Sequence, residues 1–243
     1  MRLHPSCLPY LRGESFATDL RVRFEPTPGD AEYLGRIQFL TRLCQGKNVI
    51  HLGCVDHNAD TIQNKLKRGK WLHKELCDVT QRCLGVDLDR PGIEFIRGLG
   101  YPDVVAANII TEDIPQLGGV NWDYLLVPEV LEHIGNPVQF LAGIRGKLGG
   151  TFGKLVVTVP NAFCAGVRKF TRKGIEAINS DHRHWFSPYT LHKILFDAGF
   201  TVDELVACKQ GKVKPQSFIK NFYYRHHPLL RDDLVAIASA IKP

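Results

Sequence analysis

At 243 residues and a formal charge of +6, the chain is long enough to bury a core and suits one domain with modest additions. No apolar run approaches the roughly eighteen residues of a membrane span, and the start, Met1-Arg-Leu-His-Pro-Ser-Cys-Leu-Pro, lacks the pattern of a secretory signal, so a soluble, cytoplasmic protein is expected. The seven cysteines (Cys7, Cys44, Cys54, Cys77, Cys83, Cys164, Cys208) are scattered and form no C-x-x-C pair, which argues against a disulfide framework or a cysteine-built zinc site.

Residues 1–30 carry Pro5, Pro9, Pro26 and Pro28 with Arg2, Arg12, Arg21 and Arg23, and read as an irregular lead-in and a candidate cover for the site. Residues 31–243 read as a single domain. From Ala31 the pattern is helical, with Tyr33, Ile37, Leu40 and Cys44 on one face and Gly46 as the stop. Short apolar runs then predict strands at Asn48–Leu52, Cys83–Leu88, Val104–Ala107, Tyr124–Val127 and Leu155–Val159, separated by enough chain for crossover helices. Ser187-Pro188 predicts a helix start, with Leu191, Leu195 and Phe196 inward and Gly199 as its end. Two more strands are expected at Thr201–Cys208 and Leu234–Ile241. Between them, Lys209 to Asp233 is rich in Lys, Arg, His and aromatics, a lid or a partner surface. Strands alternating with helices predict an α/β fold with a Rossmann-like, doubly wound, mostly parallel sheet of seven strands.

Polar residues recur just after successive strands, where ligands of open α/β sheets settle. After the first come His51, Gly53 and Cys54; the G-x-G-x-x-G dinucleotide pattern is absent, because Val55 and Asp56 stand where further glycines would be wanted. A tight strand-to-loop turn accounts for Gly53 as well as ligand contact does. Asp87 closes the second strand and suits the two hydroxyls of an adenosine ribose, with Leu88 beside it and Asp89 as a competitor. Asn108 suits an adenine edge, with Ile109 in apolar contact, although a turn asparagine is the plainer reading.

Three segments in order, Val130-Leu-Glu-His-Ile-Gly-Asn-Pro, Val159-Pro-Asn-Ala-Phe and Asp181-His-Arg-His-Trp-Phe-Ser-Pro-Tyr-Thr-Leu, resemble the class I S-adenosylmethionine-dependent methyltransferases over residues 48–200. The resemblance implies S-adenosyl-L-methionine as cofactor, with Gly53 and its neighbours near the methionine moiety, Asp87 on the ribose, and Asn108 where an adenine-contacting Asp is usual. It places Glu129 to His133 beside the methyl group. His51 departs from the family, which has an acidic residue there. That departure and the missing glycines keep open a non-catalytic binding or scaffold protein, for which a pocket closed by Val55 or His57 would be the sign.

His133 is the first candidate for a general base, and His182 or His184 the second. Glu129, Glu132 and His133 fall at i, i+3 and i+4, on one face if the stretch is a helical turn. With His182 they resemble the E-x-x-E-H metal site of ubiquinone-pathway O-methyltransferases and small-RNA 2′-O-methyltransferases. A solvated turn also explains Glu129, and the expectation is a site without metal. The expected reaction is O-methylation of a small hydroxylated metabolite, sugar or lipid-linked intermediate, with metal-assisted RNA 2′-O-methylation as the alternative. No basic module with interleaved aromatics points to nucleic acid.

Overall fold

Each apolar run read as a strand forms one in the structure, a computed structural model that describes residues 1–241. In chain order the elements are β1 (Arg2–Leu3), α1 (Leu8–Leu11), β2 (Phe24–Glu25), α2 (Arg36–Cys44), β3 (Asn48–Leu52), α3 (Ala59–Lys67), α4 (Leu72–Cys77), β4 (Arg82–Asp87), α5 (Arg90–Gly98), β5 (Val104–Ala106), β6 (Trp122–Pro128), α6 (Pro137–Leu148), β7 (Phe152–Pro160), α7 (Ala165–Thr171), α8 (Pro188–Asp197), β8 (Phe200–Cys208), α9 (Phe218–His226) and β9 (Asp233–Ala240). The main sheet has the order β5-β4-β3-β6-β7-β9-β8. Its first five strands pair in parallel and β9 pairs antiparallel with both β7 and β8, as a mostly parallel seven-stranded sheet requires.

Strands covered on both faces read as continuous apolar runs, and alternate side chains enter opposite layers. Ile50 and Leu52 of β3 pack with Leu141 and Ile144 of α6 and Leu191 and Leu195 of α8. Val49 packs on the other face with Leu40 of α2 and Leu72 and Leu76 of α4. α8 starts as its sequence predicts: Ser187 Oγ accepts from Thr190 N at 3.1 Å and Pro188 occupies the first turn.

Three expectations change. The lead-in is not irregular throughout: β1 and β2 pair antiparallel, and Leu3, Cys7 and Leu11 pack against Tyr189 and Phe196 of α8. Pro5, Pro9 and Pro28 stand in the first turns of short helices rather than abolish structure, and the segment packs on α8 with none of its residues lining the cavity described below. α2 begins at Arg36 and leaves Tyr33 outside the helix, stacked on Tyr224 with centroids 5.4 Å apart.

The connection after β8 carries α9 and is tied down rather than poised as a lid. Arg231, with no exposed surface, donates through Nε to Tyr224 O (2.9 Å), through Nη1 to Ala207 O (2.8 Å) and Glu32 O (3.1 Å), and through Nη2 to Asp30 O (2.6 Å) and Arg225 O (3.4 Å). One planar fork thus gathers carbonyls from three segments, a task that Lys, with a compact ammonium, cannot perform. Arg231→Met is expected to lower unfolding free energy by about 3 kcal/mol, and Arg231→Lys to recover little of it, because the carbonyls stay buried without donors. Denaturant titration checks this; a change within 0.5 kcal/mol, the size of an ordinary surface substitution, would contradict it.

Candidate active site

Strand order reverses between β3 and β6, whose neighbours run outward in opposite directions, and such a switch point leaves a crevice at the strand ends. Gly53 leaves β3 at φ +76°, and a Cβ there would sit 2.7 Å from Val130 Cγ2, so both conformation and space demand glycine. Opposite it, Glu129 also adopts a left-handed conformation, φ +53°, costly for a residue with a side chain. It is held by its N–H to Thr158 O (2.9 Å) and by Thr158 Oγ1 donating to Glu129 Oε1 (2.8 Å). A cavity of about 580 Å³ lies here, bounded by the loops after β3 and β6, the start of α4, Arg36, Gln210 and the 179–183 loop.

The expectation that Glu129, Glu132 and His133 share a helical face is corrected by this geometry. Only Leu131–His133 form a helical turn, and Glu129, left-handed, stands outside it. Glu132, His133 and His182 do converge, each with a ligating atom within 4.8 Å of the others. Glu132 is completely buried and neither of its carboxylate oxygens has a hydrogen-bond partner; His182 Nδ1 is equally unpartnered. His133 Nδ1 lies 3.2 Å from Asp181 Oδ2, and its ring meets His182 edge-on with centroids 4.7 Å apart. His184 lies outside the cavity lining, against Phe186.

Arg36 is the cation facing these acids from α2, its Nε 3.4 Å from Asp233 Oδ2 and 4.0 Å from Glu129 Oε1. Burial, with repulsion from Glu129 next, pushes the Glu132 carboxyl up to about 8, and the same causes hold Asp233 well above the carboxylate range. Burial and neighbouring His133 lower His182. The cavity lining sets Arg36, Lys65 and Arg183 against Asp56, Glu129, Glu132 and Asp181, so the acids outnumber the basic side chains by one.

His51 and Cys54 form the floor, both buried. His51 Nδ1 is 3.1 Å from His73 Nδ1, and burial, with His73 next, keeps His51 well below its ordinary pKa. Asp87 sits at the end of β4, next to the same loop but outside the cavity lining; its Oδ2 accepts from Val55 N (2.9 Å) and its Oδ1 from Asp89 N (3.1 Å). Leu88 beside it is 70% exposed. Asn108 caps its own turn, accepting from Ile110 N (3.0 Å) and Thr111 N (3.3 Å), and Ile109 is turned into the core, so the apolar contact expected of Ile109 goes to the protein. Arg36, His73 and Asp233 had no signal in the sequence motifs.

These residues fit S-adenosylmethionine. Gly53 brings bare backbone to the cavity wall, a carboxylate and an exposed leucine close β4, and the acidic surplus suits a ligand carrying a sulfonium and an ammonium. Val55 packs toward Gly92 of α5 and His57 is exposed, and the cavity stays open past both.

The Glu132 geometry predicts a pH-dependent cost. The unfolded carboxyl ionises near 4.5 and the folded one near 8, so the folded state loses stability as pH rises between the two and loses none below. In metal-free buffer Glu132→Gln is expected to exceed the parent by about 1–3 kcal/mol above that window and to match it at the acid end. Denaturant melts at both ends of the window check it, and a difference independent of pH would contradict it.

Among curated proteins none matches the chain. Among solved structures it is similar to small RNA methyltransferase HEN1, at 15% identity and a TM-score of 0.56 over 94% of this chain and 27% of that one. It is similar also to an S-adenosylmethionine-dependent methyltransferase from Clostridium acetobutylicum (10% identity, TM-score 0.51, 85% of this chain and 91% of that one). A third is magnesium protoporphyrin IX methyltransferase from Synechocystis, solved with bound S-adenosylhomocysteine (12% identity, TM-score 0.51, 85% and 82%). At such identities the likeness is one of fold, and the chain spans about a quarter of the length of the first. No helix among the described residues is long and apolar enough to cross a membrane. The model of the methyltransferase domain matches residues 30–205, most of the chain, and the protein belongs to that family, the class I methyltransferases that use S-adenosylmethionine.

Proposed function

We propose that this methyltransferase acts on a hydroxyl oxygen of a small acceptor (a hydroxylated metabolite, a sugar or a lipid-linked intermediate) and that Glu132, His133 and His182 hold a divalent cation beside that oxygen. The observation that carries the proposal is the Glu132 carboxylate, fully buried, unpartnered on both oxygens and within 4.8 Å of two imidazoles. A buried carboxylate without donors costs several kcal/mol of desolvation unless it is protonated or meets a cation. One carboxylate with two imidazoles is a donor set that suits Mn or Zn, and Mg less well. A divalent ion is proposed here where the sequence led to the expectation of a site without metal.

S-adenosylmethionine supplies, when bound, a methyl group on a sulfonium that needs no acid to leave. The residues then have three tasks: to align the acceptor, to exclude water and to manage one proton. The Asp181 carboxylate orients His133 through Nδ1, which leaves Nε2 as its ligating atom. A divalent ion held there would supply Lewis-acid polarisation of the hydroxyl, the task of a general base in a metal-free site. Arg36 keeps Glu129 and Asp233 in place, so the acidic wall persists when nothing is bound. The cavity, about 580 Å³, is within the range for small molecules, which favours a small acceptor over a nucleic-acid strand.

Calorimetry separates the parts of this reading. Titration with S-adenosylhomocysteine should show binding that Asp87→Ala weakens at least tenfold, roughly the loss of one charge-assisted hydrogen-bonding group. Titration with Mn²⁺ should show a site that Glu132→Ala and His182→Ala each remove while nucleoside binding persists. Nucleoside binding without Mn²⁺ binding would overturn the metal and leave His133 as the base, whereas no nucleoside binding would overturn methyl transfer itself.

A further inference from the structure

Away from the site, α9 presents a run of exposed apolar side chains that the fold does not use. Phe218, Ile219, Phe222 and Tyr223, at i, i+1, i+4 and i+5, lie on one helix face and are 72, 73, 63 and 47% exposed. The helix is not awaiting a core, for its other side is already used: Tyr224 stacks on Tyr33, and Arg231 accounts for the Tyr224 and Arg225 carbonyls. A fixed helix therefore holds an apolar face in solvent, where a patch of this kind marks an interaction surface.

The charged side chains of the connection itself are of one sign up to Asp232, which lies beside Lys209. Residues 209–230 contain no Asp or Glu, but they include Lys209, Lys212, Lys214, Lys220 and Arg225. Residues 162–175, which carry α7, repeat the pattern: they have no acid, and Arg168, Lys169, Arg172 and Lys173 accompany exposed Phe163, Phe170 and Ile175. Asn161 joins the two segments, its side-chain amide donating to Leu229 O (2.9 Å) and Arg231 O (2.8 Å). Both segments leave the strand ends on the side of the cavity, and Gln210 at the start of one lines it.

We propose that α7 and α9 form a docking face for the surface of an anionic bilayer, with the apolar side chains in the headgroup boundary and the cations against lipid phosphates. Lys and Arg flanking an outward aromatic and aliphatic face is the composition of interfacial helices. Nucleic acid fits less well, since Ile219 and Ile175 have no π-face on which a base can stack. A second copy fits less well too, because two faces of the same cationic sign would meet. Delivery of a lipid-linked acceptor to the cavity mouth rests on the function proposed above; docking itself does not.

Vesicle flotation of the full chain tests it, with phosphatidylcholine alone and with roughly a third phosphatidylglycerol, at low and high salt. The parent is expected to float with the anionic vesicles only, and less so at high salt. The combined variants Phe218→Ser, Ile219→Ser, Phe222→Ser and, separately, Lys220→Glu, Arg225→Glu should each cut partitioning on the order of tenfold, with S-adenosylhomocysteine binding unchanged as the control for folding. Absence of flotation, flotation indifferent to both variants, or tight binding of single-stranded RNA without vesicle binding would overturn it. A dimer that the serine variant dissociates without loss of vesicle binding would overturn it as well. Flotation without nucleoside binding would sustain the docking face while sinking the proposed reaction.

Discussion

Three carboxylates cluster about the Arg36 guanidinium at the switch point of the sheet: Glu129 and Glu132 line the cavity, and Asp233 is buried outside its lining. That imbalance is the constraint on which the site depends. Water does not reach the Glu132 oxygens and no donor replaces it, so the folded chain carries a charge deficit that only protonation or a cationic ligand relieves. Cofactor and ion would both be recognised by the positive charge they bring. The cost is offset by an apolar core on both faces of the sheet, which does not share residues with the acidic wall.

Each carboxylate reaches the neighbourhood of Arg36 by a different structural route. Glu129 is held left-handed by Thr158 of the neighbouring strand, Glu132 rides on a single helical turn, and Asp233 opens β9, the strand inserted between β7 and β8. Arg36 comes from the first turn of α2, whose N–H is bonded to Lys209 O at 2.7 Å. The connection that begins at Lys209 therefore touches the site at one end, carries α9 along its length and closes on Arg231. A rigid rim of this kind can fix a cavity mouth relative to whatever surface α9 meets.

Much of this was legible in the sequence. Continuous apolar runs marked the strands, because a parallel sheet covered on both faces leaves no polar alternation to confuse the reading. The L-E-H and D-H segments named Glu132, His133 and His182, and the structure brings those three together. Glu129 was placed on the wrong face because no sequence pattern announces a left-handed glutamate. Arg36 and Asp233 were invisible for a different reason: they are far apart in the chain and meet only through tertiary packing. His73 lies in a helix with no recognisable motif, yet its ring stands 3.1 Å from His51 beneath the cavity, where burial first and His73 next lower the His51 pKa. The lead-in was misjudged from its prolines, which here initiate short turns.

Whether the buried Glu132 carboxylate meets a cation can be seen directly in crystals of the protein grown with Mn²⁺ and S-adenosylhomocysteine and measured at the manganese absorption edge. One anomalous peak is expected within ligand distance of a Glu132 oxygen, His133 and His182, roughly 2.0–2.2 Å from each donor. A map with bound nucleoside, no such peak and the Glu132 oxygens bonded to protein donors would contradict it.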